Sequence, residues 1–169
     1  TVTNKELIRT YLSKLEAHRV TKDSNEIIVG NDSQNRLPHL SHALKNGNTT
    51  IRLLPGIYQG PININQSGIK IIACNGVQIH GDININSSLC DLESLKINSG
   101  NILIKDNLNS INIKNINLIK GSIKISSHTE KVDVNNCIIN GISFADSARK
   151  ITIKNSLLLP NKELKTNIS

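Results

Sequence analysis

The chain is almost without aromatic residues: its 169 positions hold one Phe, two Tyr and no Trp, and Met is absent too. A core built without rings must be filled by aliphatic side chains, and a surface without them has little on which to stack bases or sugars. No apolar run approaches the roughly 18 residues of a membrane-crossing helix. The three cysteines, Cys74, Cys90 and Cys137, are odd in number and follow no zinc or redox spacing, so they read as buried free thiols. There is no Ser-His-Asp pattern, no phosphate-cradling glycine loop and no His-Glu-x-x-His element. His39 and His42 stand three apart on a short helical segment but lack a third ligand, and His18, His80 and His128 are isolated. Neither a metal nor a cofactor is expected. The chain opens Thr1-Val2-Thr3-Asn4, with no initiating Met and no apolar signal core, which reads as a processed or cut start and leaves the compartment open.

Against these absences stand 28 Ile and 24 Asn. Ile is stiff at χ1 and suits strands, while Asn suits turns and tolerates the left-handed backbone region. The pairing argues against a helical bundle, which would favour Leu, Ala, Glu and Lys. Order makes the point sharper. Gly60, Gly81, Gly100, Gly121 and Gly141 are spaced 21, 19, 21 and 20 apart, and Pro160 follows after 19. Each glycine precedes a short alternating segment: Ile62-Asn63-Ile64, Ile83-Asn84-Ile85, Ile102-Leu103-Ile104, Ile123-Lys124-Ile125 and Ile142-Ser143-Phe144. A second strand set starts near Ile51, Ile69, Ile111, Val132 and Ile151, with the stretch Leu89 to Leu92 as the poorest copy. A third apolar group precedes each glycine, as in Val77/Ile79, Leu95/Ile97, Ile116/Leu118, Ile138/Ile139 and Leu157 to Leu159. Three strands per period of about 20 residues predict a right-handed parallel β-helix of about six coils, each burying its inward Ile against the next. Asn75, Ser94, Asn115, Asn136 and Asn155 recur in the same period and predict a ladder of left-handed turns.

The N-terminal third differs. Thr3-Asn4-Lys5-Glu6 is a capping-box pattern before Leu7, Ile8, Tyr11, Leu12 and Leu15, and predicts an amphipathic helix over residues 4–19. That helix would pack on its own β-helix, end an upstream linker, or serve self-association or a partner. Glu26 to Gly30 reads as a strand, and Pro38 to Leu44 as a short helix stopped by Gly47 that would cap the open first coil. The expected organisation is an amphipathic helix in 1–22, a capping segment in 23–48, the β-helix in 49–160 and a polar tail in 161–169.

The strand Ile27-Ile28-Val29, the helix Leu40 to Leu44 and the element Thr50-Ile51-Arg52-Leu53-Leu54-Pro55-Gly56-Ile57-Tyr58 resemble the opening of the pectin lyase-like superfamily, especially its pectinesterase-type members. Gly68-Ile69-Lys70-Ile71-Ile72 resembles that family's next coil. The likeness covers about a third of the chain and implies the fold, with a bacterial envelope or secreted setting; a cytoplasmic one stays open. The family's catalytic elements are missing. Gln59-Gly60 follows the tyrosine where pectinesterases place Glu, no paired-Asp or Gly-His-Gly element occurs, and no Arg lies between Arg52 and Arg149 to act as a lyase base. Gly81-Asp82-Ile83 and Gly100-Asn101-Ile102 also resemble bactofilin coils.

Two sets of residues carry functional expectations. Asp91, Asn112 and Asp133 are spaced 21 and 21, so the two carboxylates would share an outward column about 10 Å apart, at the edge of the range for inverting glycosidases. The second set is basic. The net charge is +7, and residues 49–104 balance to zero, whereas residues 105–154 hold eight basic residues against four acids. Within that stretch Lys105, Lys114, Lys124, Lys131, Lys150 and Lys154 are the binding candidates, and Lys114 and Lys154 would flank Asn135 in one column. Such a stripe suits an anionic polysaccharide or an acidic protein; the scarcity of aromatics disfavours nucleic acid. Edge lysines also guard a sheet against aggregation. The sequence therefore favours a non-catalytic binding or scaffold module. A divergent carbohydrate-active enzyme with a reduced or intersubunit site, and a self-assembling protein stacking through coil ends or the N-terminal helix, are the alternatives.

Overall fold

The computed structural model describes residues 3–10, 26–30 and 39–159. The expected continuation of the first helix to residue 19 and the polar tail 161–169 lie outside the described residues. Residues 4–10 (α1) are helical, and the capping box forms: Thr3 N donates to Glu6 Oε2 at 2.9 Å, and Glu6 N donates to Thr3 Oγ1 at 3.3 Å. The Thr3 amide first, and its hydroxyl second, hold the Glu6 carboxyl below the usual carboxylate range.

The rest is a parallel β-solenoid of about six turns. Strand β1 (Glu26–Val29) and the short helix α2 (Leu40–Ala43) precede it. Coil 1 comprises β2 (Thr50–Leu53), β3 (Gly56–Gln59) and β4 (Ile62–Ile64). Coil 2 comprises β5 (Lys70–Ala73), β6 (Val77–His80) and β7 (Ile83–Ile85), and coil 3 β8 (Cys90–Glu93), β9 (Ile97–Ser99) and β10 (Ile102–Ile104). In coils 4 and 5 a single strand runs through the glycine corner: β11 (Asn109–Lys114) leads to β12 (Asn117–Ile125), and β13 (Glu130–Asn135) to β14 (Ile138–Phe144). Coil 6 has β15 (Arg149–Lys154) and β16 (Leu157–Leu158). The first face is the sheet β1-β2-β5-β8-β11-β13-β15, the second begins as β3-β6-β9, and the third is β16-β14-β12-β10-β7-β4.

Register explains the isoleucines. On the third face Ile62, Ile83, Ile102, Ile123 and Ile142 are successive partners, as are Ile64, Ile85, Ile104, Ile125 and Phe144. On the first face the column is Ile27, Ile51, Ile71, Leu92, Ile113, Val134 and Ile153. Ile71, not Ile69, is thus the partner of Ile51, because the chain rounds the preceding corner through Gly68. Cys90 stands beside Ile111, so a thiol fills an aliphatic rung and the stretch from Leu89 reads as the poorest copy. Each fully buried Ile contributes about 1.5–3 kcal/mol by leaving water. The third apolar group needs one correction: Cys137 and Ile139 point inward, whereas Ile138 is outward and exposed.

The turn columns follow the expectation with one shift. Ser94, Asn115, Asn136 and Asn155 have φ of 62°, 54°, 54° and 50°, and Asn136 Nδ2 donates to Asn115 Oδ1 at 2.6 Å. At Asn75 the left-handed conformation passes to the next residue, Gly76, with φ 93°. The glycine corner is set by contact between backbones. A Cβ at Gly100 (φ +132°) would lie 2.2 Å from Gly81 O, and one at Gly121 would lie 1.8 Å from Gly100 O.

At the N-terminal end β1 adds a rung to the first face, so that face begins before residue 49. Ala43 of α2 is buried, and Leu40 and Leu44 pack on the core, forming the expected cap. Tyr58, from the Pro-Gly-x-Tyr element, ties the cap rung to coil 1: its hydroxyl lies 2.7 Å from Leu54 O and 3.2 Å from Val29 O. Burial pushes the phenol up, so it stays protonated and donating across the neutral range.

Gly121→Ala should lower the unfolding free energy by about 3 kcal/mol, the upper range for an overpacked site, while the exposed Ser143→Ala stays within about 0.5 kcal/mol. Denaturant titrations of the two variants check this. Tyr58→Phe, which leaves the buried Leu54 carbonyl without the phenol donor, should cost about 1–3 kcal/mol in the same measurement.

Candidate ligand-binding face

Strand alternation sends every second residue of the first face outward. Successive coils align these residues into columns. One runs Lys70, Asp91, Asn112, Asp133, Thr152, and the next runs Ile72, Glu93, Lys114, Asn135, Lys154. Lys114 and Lys154 do flank Asn135. A third column comes from residues that the pairing passes over at the start of each strand: Leu89, Ser110, Lys131 and Lys150, all left-handed with φ between 54° and 61°. Lys131 and Lys150 therefore sit on adjacent rungs.

Charge divides this face along its length. In the N-terminal coils the basic groups are matched: Arg52 pairs with Glu26, and Lys70 Nζ lies 3.5 Å from Glu93 Oε2. In coils 4–6, Lys114, Lys131, Arg149, Lys150 and Lys154 are all exposed, with Glu130 and Asp133 as the acids of the same strands. Among the described residues no carboxylate lies within ion-pair distance of Lys114, Lys131, Lys150 or Lys154. Two adjoining depressions occupy this end. One, of about 350 Å³, is lined by Lys114, Asp133, Asn135, Thr152 and Lys154 together with Asn112. The other, of about 300 Å³, is lined by Ser110, Asn112, Lys131, Asp133, Lys150 and Thr152.

The six candidate lysines thus separate. Lys114, Lys131, Lys150 and Lys154 share the depressions, whereas Lys124 is outward on the third face between Leu103 and Ser143, and Lys105 follows β10 at that face's far edge. A 20-residue period folded into three faces places residues by their phase within a coil, so nearness in sequence does not group them. Asp91 and Asp133 share the expected column, but Asn112 stands between them and its Nδ2 donates to Asp91 Oδ1 at 2.8 Å. Two rungs separate the carboxylates by about 10 Å, and the amide occupies the space that an attacking water would need. Asp133 instead lines both depressions. Ser110 and Thr152 were not anticipated; Ser110 lies 21 residues before Lys131, so periodicity alone could have found it.

Elsewhere many polar groups pair with one another, although the buried Asn117 Oδ1 has no partner among the described residues. On the third face Asn84 Nδ2 donates to Asn63 Oδ1 at 2.8 Å, and Asn86 Nδ2 to Asn65 Oδ1 at 2.9 Å. On the second face Asn98 Nδ2 lies 2.7 Å from Gln78 Oε1 and 3.0 Å from His80 Nε2. A depression of about 360 Å³ beside α2, lined by Leu40, Leu44, Gln59, Pro61, Asn63 and Asn65 among others, has Lys45 as its one charged residue. Cys90 and Cys137 are buried free thiols, pushed up by burial, which makes them poor nucleophiles. Among the described residues no three His, Cys, Asp or Glu side chains gather as a metal site, and no helix is long and apolar enough to cross a membrane. No protein-family model matches the chain, and neither a curated protein nor a solved structure is significantly similar to it.

Asn112→Asp would stack three carboxylates on successive rungs about 4.8 Å apart. Stability should fall by about 1 kcal/mol at pH 7. Crowding raises the carboxyl pKa values in the folded state, so the deficit should be absent below about pH 4 and develop as pH rises. Thermal melts from pH 3 to pH 7 check the sign.

Proposed function

We propose that the protein is a non-catalytic binding module that holds an extended anionic polysaccharide across the C-terminal half of its first face. The observation that carries this reading is the set of four exposed lysines, without acid partners among the described residues, around two adjoining depressions. Lys131 and Lys150 are the sharpest part of it. Adjacent like charges destabilise a sheet, and a bound anion relieves that repulsion. Lys114 and Lys154, two rungs apart, present charges about 10 Å from each other along the stack, a repeat suited to a polymer with regularly spaced acids. A protein partner fits less well, because protein interfaces anchor on buried aromatics and Arg, and these depressions are lined by neither. Without aromatic stacking the attraction is mainly Coulombic and falls as salt rises. The hydrolytic alternative has less support, since Asn112 fills the gap between Asp91 and Asp133.

Polygalacturonate and alginate should bind at low ionic strength and release at about 0.5 M salt, where the screening length is only a few ångströms. Neutral dextran should not bind. Lys114→Glu with Lys154→Glu should weaken binding at least about tenfold, roughly 0.7 kcal/mol per reversed charge. Lys105→Glu with Lys124→Glu, equal in charge but on the third face, should change it less than about twofold. Equal losses from the two pairs would reduce the effect to net charge and remove the site, and depolymerisation of the polymer would remove the non-catalytic reading.

A further inference from the structure

The last coil leaves core positions uncovered. Ile153 is 38% exposed, Leu158 48% and Phe144 55%. Each occupies an inward register position, for their partners one coil earlier are Val134, Ile139 and Ile125, all buried. Ile151, partner of buried Val132, belongs to the same end. Among the described residues no strand pairs with β15 on the side away from β13, so β15 is a free parallel edge. The other end is built differently, with β1 as an added rung and α2 laid on the core.

We propose that this edge takes an extended segment of another protein in which apolar residues alternate with acidic ones. The sequence of the edge specifies that chemistry. Arg149-Lys150-Ile151-Thr152-Ile153-Lys154 presents two Ile inward and three basic residues outward. The strand already seated on its other side has this pattern in part: in β13, Val132 and Val134 point inward and Glu130 and Asp133 outward, with Glu130 opposite Arg149, while Lys131 stands beside Lys150 and Asn135 opposite Lys154. A second strand with the same inward residues but acids in place of Lys131 and Asn135 would cover Ile151 and Ile153, satisfy the free edge by main-chain hydrogen bonds and set carboxylates against Arg149, Lys150 and Lys154.

Charge argues against a second copy in a two-fold arrangement, because two β15 edges would bring basic residues at both strand ends face to face. A head-to-tail arrangement would lay this apolar end on α2 and the turn after it, where Ser41, His42 and Lys45 are polar and exposed. Residues 160–169 contain two Lys and one Glu, which is the wrong balance for this edge.

The test uses the full chain and a fluorescent peptide with the β13 sequence carrying Lys131→Glu and Asn135→Glu, Glu130 to Asn135 with one flanking residue on each side, read by anisotropy. Saturable binding is expected. It should weaken at least about tenfold for a scrambled peptide, for a peptide carrying Glu130→Lys and Asp133→Lys, and for the protein variants Ile153→Lys and Lys154→Glu. Lys154→Glu changes an exposed outward side chain, so its effect does not depend on whether Ile153→Lys folds. Polygalacturonate binding should survive Ile153→Lys, and peptide binding should survive Lys114→Glu, which separates this site from the polysaccharide face. The proposal is overturned by absence of saturable binding, or by equal binding of the control peptides. Binding seen only after residues 160–169 are removed would assign the edge to the chain's own tail and also overturn it. So would self-association lost in Ile153→Lys without any peptide binding, which would assign the edge to a second copy.

Discussion

Parallel stacking of coils about 4.8 Å apart, residue above equivalent residue, is the constraint on which the rest of this molecule depends. It forces each inward position to match its neighbours in size, so one residue type comes to dominate the core. Ile satisfies the requirement on two faces at once, and apart from the exposed Phe144 the replacement where the run is broken is another small or aliphatic group, as with Cys90 beside Ile111 or Val132 beside Ile151. The same constraint governs the corners. Backbones approach so closely where Gly100 and Gly121 stack that a side-chain carbon would overlap the carbonyl of the preceding coil.

Outward columns obey the stacking as strictly but with a different consequence. Equal charges on adjacent rungs repel, and most of the first face avoids this by interleaving. Asn112 separates Asp91 from Asp133, and Asn135 separates Lys114 from Lys154. Lys131 and Lys150 break the pattern, standing together at left-handed positions that cost a non-glycine residue about 1–2 kcal/mol. Local conflicts of this kind concentrate at functional sites, where an outside group compensates them. A polyanion is the simplest group that would do so here.

How much of this was legible in the sequence follows from the same geometry. Period and inward alternation are linear properties, so the coils, the glycine corners and most of the left-handed asparagines could be read directly. Phase was harder. Ile138 follows Cys137 in an apolar pair, and hydrophobicity cannot say which of two neighbours faces in; the register chooses the cysteine. Ile69 and Ile71 pose the same question, decided by the length of the turn at Gly68. For the candidate site, the columns Asp91-Asn112-Asp133 and Lys114-Asn135-Lys154 could be counted off in steps of about 20. The column Leu89-Ser110-Lys131-Lys150 could not be recognised as left-handed, because none of those residue types favours that conformation.

The two ends of the solenoid also differ in what they leave available for recognition. Near the N-terminal end, Asn63 and Asn65 accept hydrogen bonds from Asn84 and Asn86, and Arg52 and Lys70 have carboxylate partners. A polar group already satisfied within the stack must give up a bond to make one with a ligand, so its net contribution to binding is small. Lysines cannot form such ladders, since each carries only donors and a positive charge. In the outward columns of coils 4–6, where Lys114 and Lys154 follow Ile72 and Glu93 of the earlier coils, stacking does not satisfy them. The passage from matched to unmatched charge along one continuous face is therefore the feature on which recognition of an anionic partner would rest.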